Sequence, residues 1–277
     1  MRVSLLQTTT GIDPSENGRL LVNGLARAAA DGANIAFTPE MSGLLDRDRA
    51  RMAVNVRSEA DDPVLAAVRE AAARHGLWVQ LGSLALKPDD GAERLVNRGF
   101  LIDGSGEIRA RYDKMHLFDV DLPSGETYRE SSAYLAGTRA VAAETPWGRL
   151  GLSICYDLRF PALYAALAEA GALLLSVPAA FTVPTGQAHW HVLLRARAIE
   201  AGTFVIAAAQ VGRHQDGRST YGHSLVIDPW GEVLLDMGGE AGGVGLVDLD
   251  LARIDEVRGR VPSVAHRRPI PAVEVAA

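Results

Sequence analysis

Gly148-Arg149-Leu150-Gly151-Leu152-Ser153-Ile154-Cys155, followed by Tyr156-Asp157-Leu158-Arg159-Phe160-Pro161 and then by 162–170, is the stretch from which the fold can be read. Its first eight residues have the apolar run of a buried strand. The last nine have the composition of a helix, and the polar residues between them form a sharp turn. A strand feeding a helix in this way is the repeating unit of layered α/β proteins. The turn also carries the only cysteine of the chain. A thiol at a strand end is held rigidly and can face a pocket, the mechanical logic of a nucleophile elbow. A lone thiol is more commonly a small buried hydrophobe, so position alone leaves packing and catalysis both open.

Outward from this unit, strands and helices alternate. Residues 2–7, 34–37, 77–86, 97–102, 107–112, 141–145, 150–154, 172–177, 203–209, 225–227, 233–236 and 244–249 read as strands. Residues 16–30, 63–75, 187–201 and 250–258 read as helices, the second opened by Asp61-Asp62-Pro63 as helix starts prefer. Asp103-Gly104-Ser105-Gly106, Pro146-Trp147-Gly148 and Asp228-Pro229-Trp230-Gly231-Glu232 are turn signals between strands. Three hairpins imply mixed sheets rather than purely parallel ones. Residues 114–137 are long and polar, and loops of that length are usually functional or mobile. There is no repeat, low-complexity block or Pro/Gly/Ser linker. The expectation is one domain over 1–270 and a short tail over 271–277, irregular from about His266.

The bulk numbers narrow the class. The chain has 277 residues, 48% of them hydrophobic and 22% charged, an ordinary globular balance. Its net charge of −6 supplies no basic field for nucleic acid. One cysteine excludes an internal disulfide framework and fits a reducing compartment. Residues 1–7 form a short strand pattern rather than a signal peptide. No run approaches the roughly 18–20 apolar residues that span a bilayer. The expectation is a soluble cytoplasmic protein.

Three charged residues stand out by placement at or near strand ends: Glu40, Lys114 and, within the polar stretch, Glu130. A thiol needs a base, and a carboxylate serves if burial raises its pKa. A fixed ammonium favours thiolate and stabilises the oxyanion of a tetrahedral intermediate. Ordinary solvated charges at strand ends remain the alternative on spacing alone. His116 and His223 invite a cysteine–histidine reading, but nothing papain-like or caspase-like surrounds Cys155. His189 and His191 are two apart on a helix and point to different faces, so no metal site is expected.

The segments Phe37-Thr38-Pro39-Glu40, Tyr112-Asp113-Lys114-Met115-His116-Leu117-Phe118-Asp119 and Leu152-Ser153-Ile154-Cys155-Tyr156-Asp157-Leu158-Arg159-Phe160-Pro161 resemble the Glu, Lys and Cys motifs of the nitrilase (carbon–nitrogen hydrolase) superfamily, in the same order and at similar separations. The stretch 118–123, Arg129-Glu130-Ser131, Ala188-His189-Trp190, 194–200, Tyr221-Gly222-His223-Ser224 and Asp228-Pro229-Trp230-Gly231 are closest to the branch of deaminated-glutathione amidase and omega-amidase. Residues 209–214 lean to the former. Two positions depart from the pattern: Thr38, where an apolar residue is usual, and Ala162, where another Glu is usual.

The resemblance implies a four-layer α-β-β-α sandwich, two mixed sheets between helical layers, that stacks into a homodimer or higher homo-oligomer. It implies a cysteine-dependent amidohydrolase cleaving a small primary ω-amide to carboxylate and ammonia through a thioester on Cys155. Glu40 is then the base, Lys114 and the Tyr156 N–H hold the oxyanion, and Glu130 fixes Lys114 or the amide nitrogen. Arg159 meets a substrate carboxylate or forms a structural ion pair. Phe181, Thr182 and Tyr221 are candidates for lining the pocket. Water is the second substrate, and neither cofactor nor metal is called for. Nitrile hydrolysis, N-carbamoyl amino acid hydrolysis, acyl transfer and noncatalytic binding are the competing functions for this scaffold.

Overall fold

Period-two alternation decides how the layers stack. The computed structural model describes residues 1–122 and 125–276; Pro123 of the 118–123 motif and Ala277 of the expected tail lie outside the described residues. In one sheet Val3, Leu5, Ile35, Phe37 and Leu101 join a large apolar cluster shared with the second sheet. Their neighbours Leu6, Ala36, Phe100 and Ile102 join a separate cluster with Leu21, Leu25, Val64 and Val68. Successive side chains of a strand point to opposite faces, so this sheet is covered by the other sheet on one side and by helices Pro14–Ala30 and Pro63–His75 on the other. Helices Pro161–Glu169 and Val183–Ala201 cover the second sheet, through Leu163, Tyr164 and Leu167 and through Trp190, Leu194, Ala198 and Ala201. The result is the expected α-β-β-α sandwich.

The first sheet runs Gly243–Asp248, Arg2–Gln7, Ile35–Phe37, Trp78–Leu86, Leu95–Ile102, Ile108–Asp113, with Tyr134–Leu135 added beside Leu95–Ile102. The second runs Val233–Asp236, Leu225–Ile227, Phe204–Ala207, Ala172–Ser176, Gly148–Leu152, Val141–Thr145. Both are mixed, with parallel pairings at their centres and antiparallel ones toward their edges. The helix starts follow the sequence: Asp13 and Asp62 cap them, accepting from Ser15 N and Leu65 N at 2.9 and 2.8 Å.

Two expectations need correction. The strand before the cysteine ends at Leu152, and Cys155 opens a 3₁₀ turn, Cys155–Arg159. The ladder stops because the Cys155 N–H turns to the Pro178 carbonyl (2.9 Å) and the Ile154 N–H to the Asp157 carboxylate (2.8 Å). The 114–137 stretch is not an open loop. Asp119–Asp121 pairs with Thr127–Arg129, and the 3₁₀ turn Glu130–Ser132 leads into Tyr134–Leu135. The helix Arg49–Asn55 and the hairpin Val211–Arg213/Ser219–Tyr221 are further elements, each too short for a periodic signal.

Glu40, Lys114 and Cys155 all lie just past the C-terminal ends of strands, where the two sheets open. The approach is tight: a Cβ on Gly82 would lie 2.1 Å from the Thr38 carbonyl oxygen. Thr38 itself is buried, and its hydroxyl accepts from Gly82 N and Ser42 Oγ, both at 3.0 Å, so the departure at Thr38 braces the strand end that carries Glu40. Ala162 is exposed on the first turn of its helix. Gly82→Ala is expected to cost about 1–3 kcal/mol through overpacking. Gly259→Ala, in a helix with open space around it, is expected to gain up to about 1 kcal/mol. Urea unfolding of both variants checks this, and a Gly82→Ala protein as stable as the parent would refute the packing argument.

Candidate active site

Cys155 is held in a left-handed backbone conformation, φ +49°, rare for a residue with a side chain and typical of functional turns. Asp157, fully buried, makes the turn rigid. One oxygen accepts from Ile154 N (2.8 Å) and the Tyr112 hydroxyl (2.7 Å), and the other from His116 N (3.0 Å). His116 Nδ1 lies 2.7 Å from that second oxygen, and the His116 ring stacks on Phe160 at 3.6 Å. Arg197, buried on its helix, donates from Nε and Nη2 to the Leu158 carbonyl at 3.2 and 2.9 Å. The turn is thus fixed from both sides, and it leaves the Tyr156 N–H without an acceptor among the described residues.

Opposite the thiol lies a buried charge cluster. Lys114 Nζ donates to Glu40 Oε1 (2.9 Å) and to both oxygens of Glu130 (3.1 and 2.9 Å). Asn97 Nδ2 bridges the same carboxylates, at 3.0 Å from Glu40 and 3.3 Å from Glu130. The other Glu40 oxygen accepts from Ala180 N at 3.0 Å, and Glu130 accepts from Phe118 N at 2.6 Å. Glu40, Lys114, Glu130 and Cys155, far apart in sequence, therefore meet in one place.

The electrostatics differ from the sequence expectation. Burial pushes the Glu40 carboxyl up, but the Lys114 charge and hydrogen bonds from Cys155, Lys114 and Asn97 outweigh it and hold the carboxyl below its ordinary value. Burial opposes charge on Lys114, yet Glu130 and Glu40 keep its ammonium well above the usual range. Burial and the adjacent Glu40 charge raise the Cys155 thiol well above normal, and Lys114 only partly offsets them. The resting state is carboxylate, ammonium and neutral thiol. Glu40 is not raised because Lys114 and its hydrogen bonds outweigh burial, and no preformed thiolate is favoured because burial and then Glu40 outweigh Lys114 at the sulfur.

The four residues open into a cavity of about 420 Å³. Tyr156, Arg159, Phe181 and Thr182 line it. Arg159 lies over the Tyr156 and Phe181 rings at 5.9 and 5.4 Å and has no carboxylate partner among the described residues; its one polar contact is His189 Nδ1 at 3.2 Å. Tyr221 is a correction. It does not line the cavity: its strand bridges Thr182 through Thr220, which sends Ser219 and Thr220 toward the cavity and the Tyr221 ring over Gly186 and onto His223. His116 and His223 are committed to Asp157 and Asp236, which removes the cysteine–histidine reading. Asn97 and Asp157 were not singled out from sequence. The signal for Asn97 was a polar residue inside an apolar strand. Asp157 lies in the turn motif itself, two residues after the cysteine.

With the geometry in place, the chain can be compared with known proteins. The family model described as carbon-nitrogen hydrolase matches residues 2–259. The chain belongs to the carbon-nitrogen hydrolase family. It is 39% identical over 267 residues to the deaminated glutathione amidase of Yersinia enterocolitica, covering 96% of this chain and 92% of that protein. The crystal structure of the Caenorhabditis elegans NitFhit protein superposes with a TM-score of 0.88 at 38% identity, covering 96% of this chain; the chain spans 65% of that fusion protein's length. An amidase from Nesterenkonia sp. AN1 (TM-score 0.78, 29% identity, 95% of this chain and 98% of that one) is solved as a Glu-to-Gln mutant showing Michael addition of acrylamide at its active-site cysteine. This carbon-nitrogen hydrolase is an amidase-type hydrolase acting on carbon–nitrogen bonds. Among the described residues no helix is long and apolar enough to cross a membrane.

Because Glu40 is a main cause of the raised thiol, Glu40→Gln is expected to lower the Cys155 pKa, the remaining Lys114 charge then favouring thiolate. Ultraviolet thiolate absorbance followed against pH reads this directly. An unchanged or higher midpoint in the variant would overturn the charge assignment.

Proposed function

We propose that the enzyme hydrolyses an ω-amide carrying a carboxylate, through a thioester on Cys155, with Glu40 as the proton carrier. Cys155 Sγ attacks the amide carbon as its proton moves to Glu40. The thiol is neutral at rest, so attack and proton transfer occur together. The negative charge that leaves the thiol appears on the carbonyl oxygen. There the Tyr156 N–H and one Lys114 N–H receive it; a second Lys114 donor serves Glu40 and the third is shared by the two Glu130 oxygens. Glu40 hands its proton to the leaving nitrogen, and ammonia departs from a primary amide. Water then enters, Glu40 takes its proton, the C–S bond breaks, and the acid leaves as the thiol is restored. Glu130 acts through Lys114, as a positioning residue.

The single observation that carries the substrate class is Arg159: a guanidinium on the cavity wall, flanked by two rings and free of any carboxylate partner among the described residues. That geometry suits a substrate carboxylate. The lining as a whole is cationic for so acidic a chain, with Arg47, Arg49, Lys114, Arg129, Arg159 and Arg218 against Glu40, Asp46, Glu126 and Glu130. The names of the relatives make deaminated glutathione the first compound to assay. A cytoplasmic homodimer belongs to the same reading and is checked by light scattering and fractionation.

The experiment is product analysis on a panel of 2-oxo-acid ω-amides, deaminated glutathione, carbamoyl amino acids and nitriles. Cys155→Ala is expected to abolish turnover, and Lys114→Ala to lower kcat by about 10²–10³. Arg159→Ala is expected to raise KM roughly tenfold or more for carboxylate-bearing amides while leaving uncharged amides unaffected. Turnover of nitriles or carbamoyl compounds alone, or equal loss on charged and uncharged amides, would refute the substrate assignment.

A further inference from the structure

Three non-glycine residues among those described have positive φ: Met41, Cys155 and His223. The first two flank or form the active site. His223, at +53°, belongs to neither, and its backbone is held hard. Its N–H donates to the Gly238 carbonyl at 2.8 Å, and its own carbonyl accepts from Trp190 Nε1 at 2.8 Å. The ring stacks on Tyr221, 4.4 Å between centroids. This unusual conformation aims His223 Nδ1 at Asp236, 2.9 and 3.1 Å from its two oxygens. From the Val183–Ala201 helix, His191 Nε2 reaches the same carboxylate at 3.1 Å. Asp236 is itself oriented by the Gly238 N–H at 2.8 Å. One donor atom from each of the three side chains lies within 4.8 Å of the others.

We propose that His191, His223 and Asp236 form a binding site for a zinc-like divalent cation. Zinc takes nitrogen and carboxylate oxygen at about 2.0–2.2 Å in tetrahedral geometry, which sets neighbouring donors about 3.3 Å apart. Both nitrogens lie 3.1 Å from the same Asp236 oxygen, Oδ2, close to that spacing, and closure onto a cation then needs only a small adjustment within a cluster whose donor atoms lie within 4.8 Å of one another. Two imidazoles and one carboxylate are a borderline donor set, suited to zinc, cobalt, nickel or copper rather than magnesium or calcium. Solvent reaches the cluster, with side-chain exposures of 33% for His191, 24% for His223 and 34% for Asp236, so water can complete the coordination. Binding moves the ring protons away from His191 Nε2 and His223 Nδ1 to the other nitrogen of each ring. Without the cation, the same atoms form two ordinary His–Asp hydrogen bonds. Helical spacing alone hid the site, because two ligands come from other elements. None of the three lines the cavity. The cation therefore has a bracing role: it ties the helix to the strand segment whose Ser219 and Thr220 form part of the cavity wall.

The test is calorimetric titration of zinc chloride into the full-length Cys155→Ala protein, which removes the active-site thiol as a competing ligand. The expected result is one zinc per chain. His191→Gln and Asp236→Asn each weaken binding tenfold or more, and His75→Gln, at an exposed histidine elsewhere, leaves it unchanged. Cobalt(II) should give visible absorption bands in the parent that are absent from the two ligand variants. Circular dichroism confirms that each variant is folded. Absence of saturable zinc binding to the Cys155→Ala parent, or equal binding by the ligand variants, overturns the proposal.

Discussion

A lysine ammonium buried almost completely at the base of a cavity must be neutralised, and much of this protein's architecture answers that requirement. Lys114 is 2% exposed. Removing one partner from a buried ion pair typically costs about 3–5 kcal/mol, because the remaining charge is stranded. Here the cation has two carboxylates, one from the end of each of two separate chain segments, and the Asn97 amide donates to both. Burial first, and then the Glu40 charge, keep the thiol beside this cluster protonated, and Lys114 offsets them only in part. The same arrangement that makes the resting nucleophile weak also defines when it becomes strong: negative charge must leave the sulfur for an oxygen next to Lys114.

The turn at Cys155 is the second constraint. A left-handed non-glycine residue costs of order 1–3 kcal/mol and persists only where its surroundings over-determine it. Asp157 supplies acceptors for a backbone N–H before the turn, a tyrosine from the neighbouring sheet and the backbone of His116. Arg197 grips the carbonyl of Leu158 from the covering helix. Both sheets and one helix therefore converge on five residues, and the strain is held by groups of the fold that do not face the cavity.

Much of this was legible in the sequence, for identifiable reasons. Strand and helix identities follow from apolar periodicity, and the start at Pro63 from aspartates followed by proline, whereas the first helix begins at Pro14, two residues before the expected 16. Glu40, Lys114 and Cys155 were found through their motifs, and Glu130 through its own. What periodicity could not give was short or non-local. The helix Arg49–Asn55 and the ribbon Asp119–Asp121/Thr127–Arg129 are too brief to show a repeat. The ionisation pattern is not legible in sequence, because it depends on how deeply the fold buries the thiol and how close it sets Glu40. Tyr221, a candidate for lining the pocket, lies outside it, because a strand of three residues gives no phase from which its face could be read. The gathering of His191, His223 and Asp236 depends on how a helix lies against two strand ends, which no local pattern records.

Asn97 gives the site a sensitivity of another kind. Its amide nitrogen faces two carboxylates, and its oxygen is buried without a hydrogen-bond partner. Asparagine ages chemically by losing that nitrogen as ammonia and becoming aspartate, a change of almost no volume. At this position the product would set a third acid against Glu40 and Glu130, with one cation among them. The strand that buries Asn97 therefore also shields its backbone from the cyclisation through which deamidation proceeds.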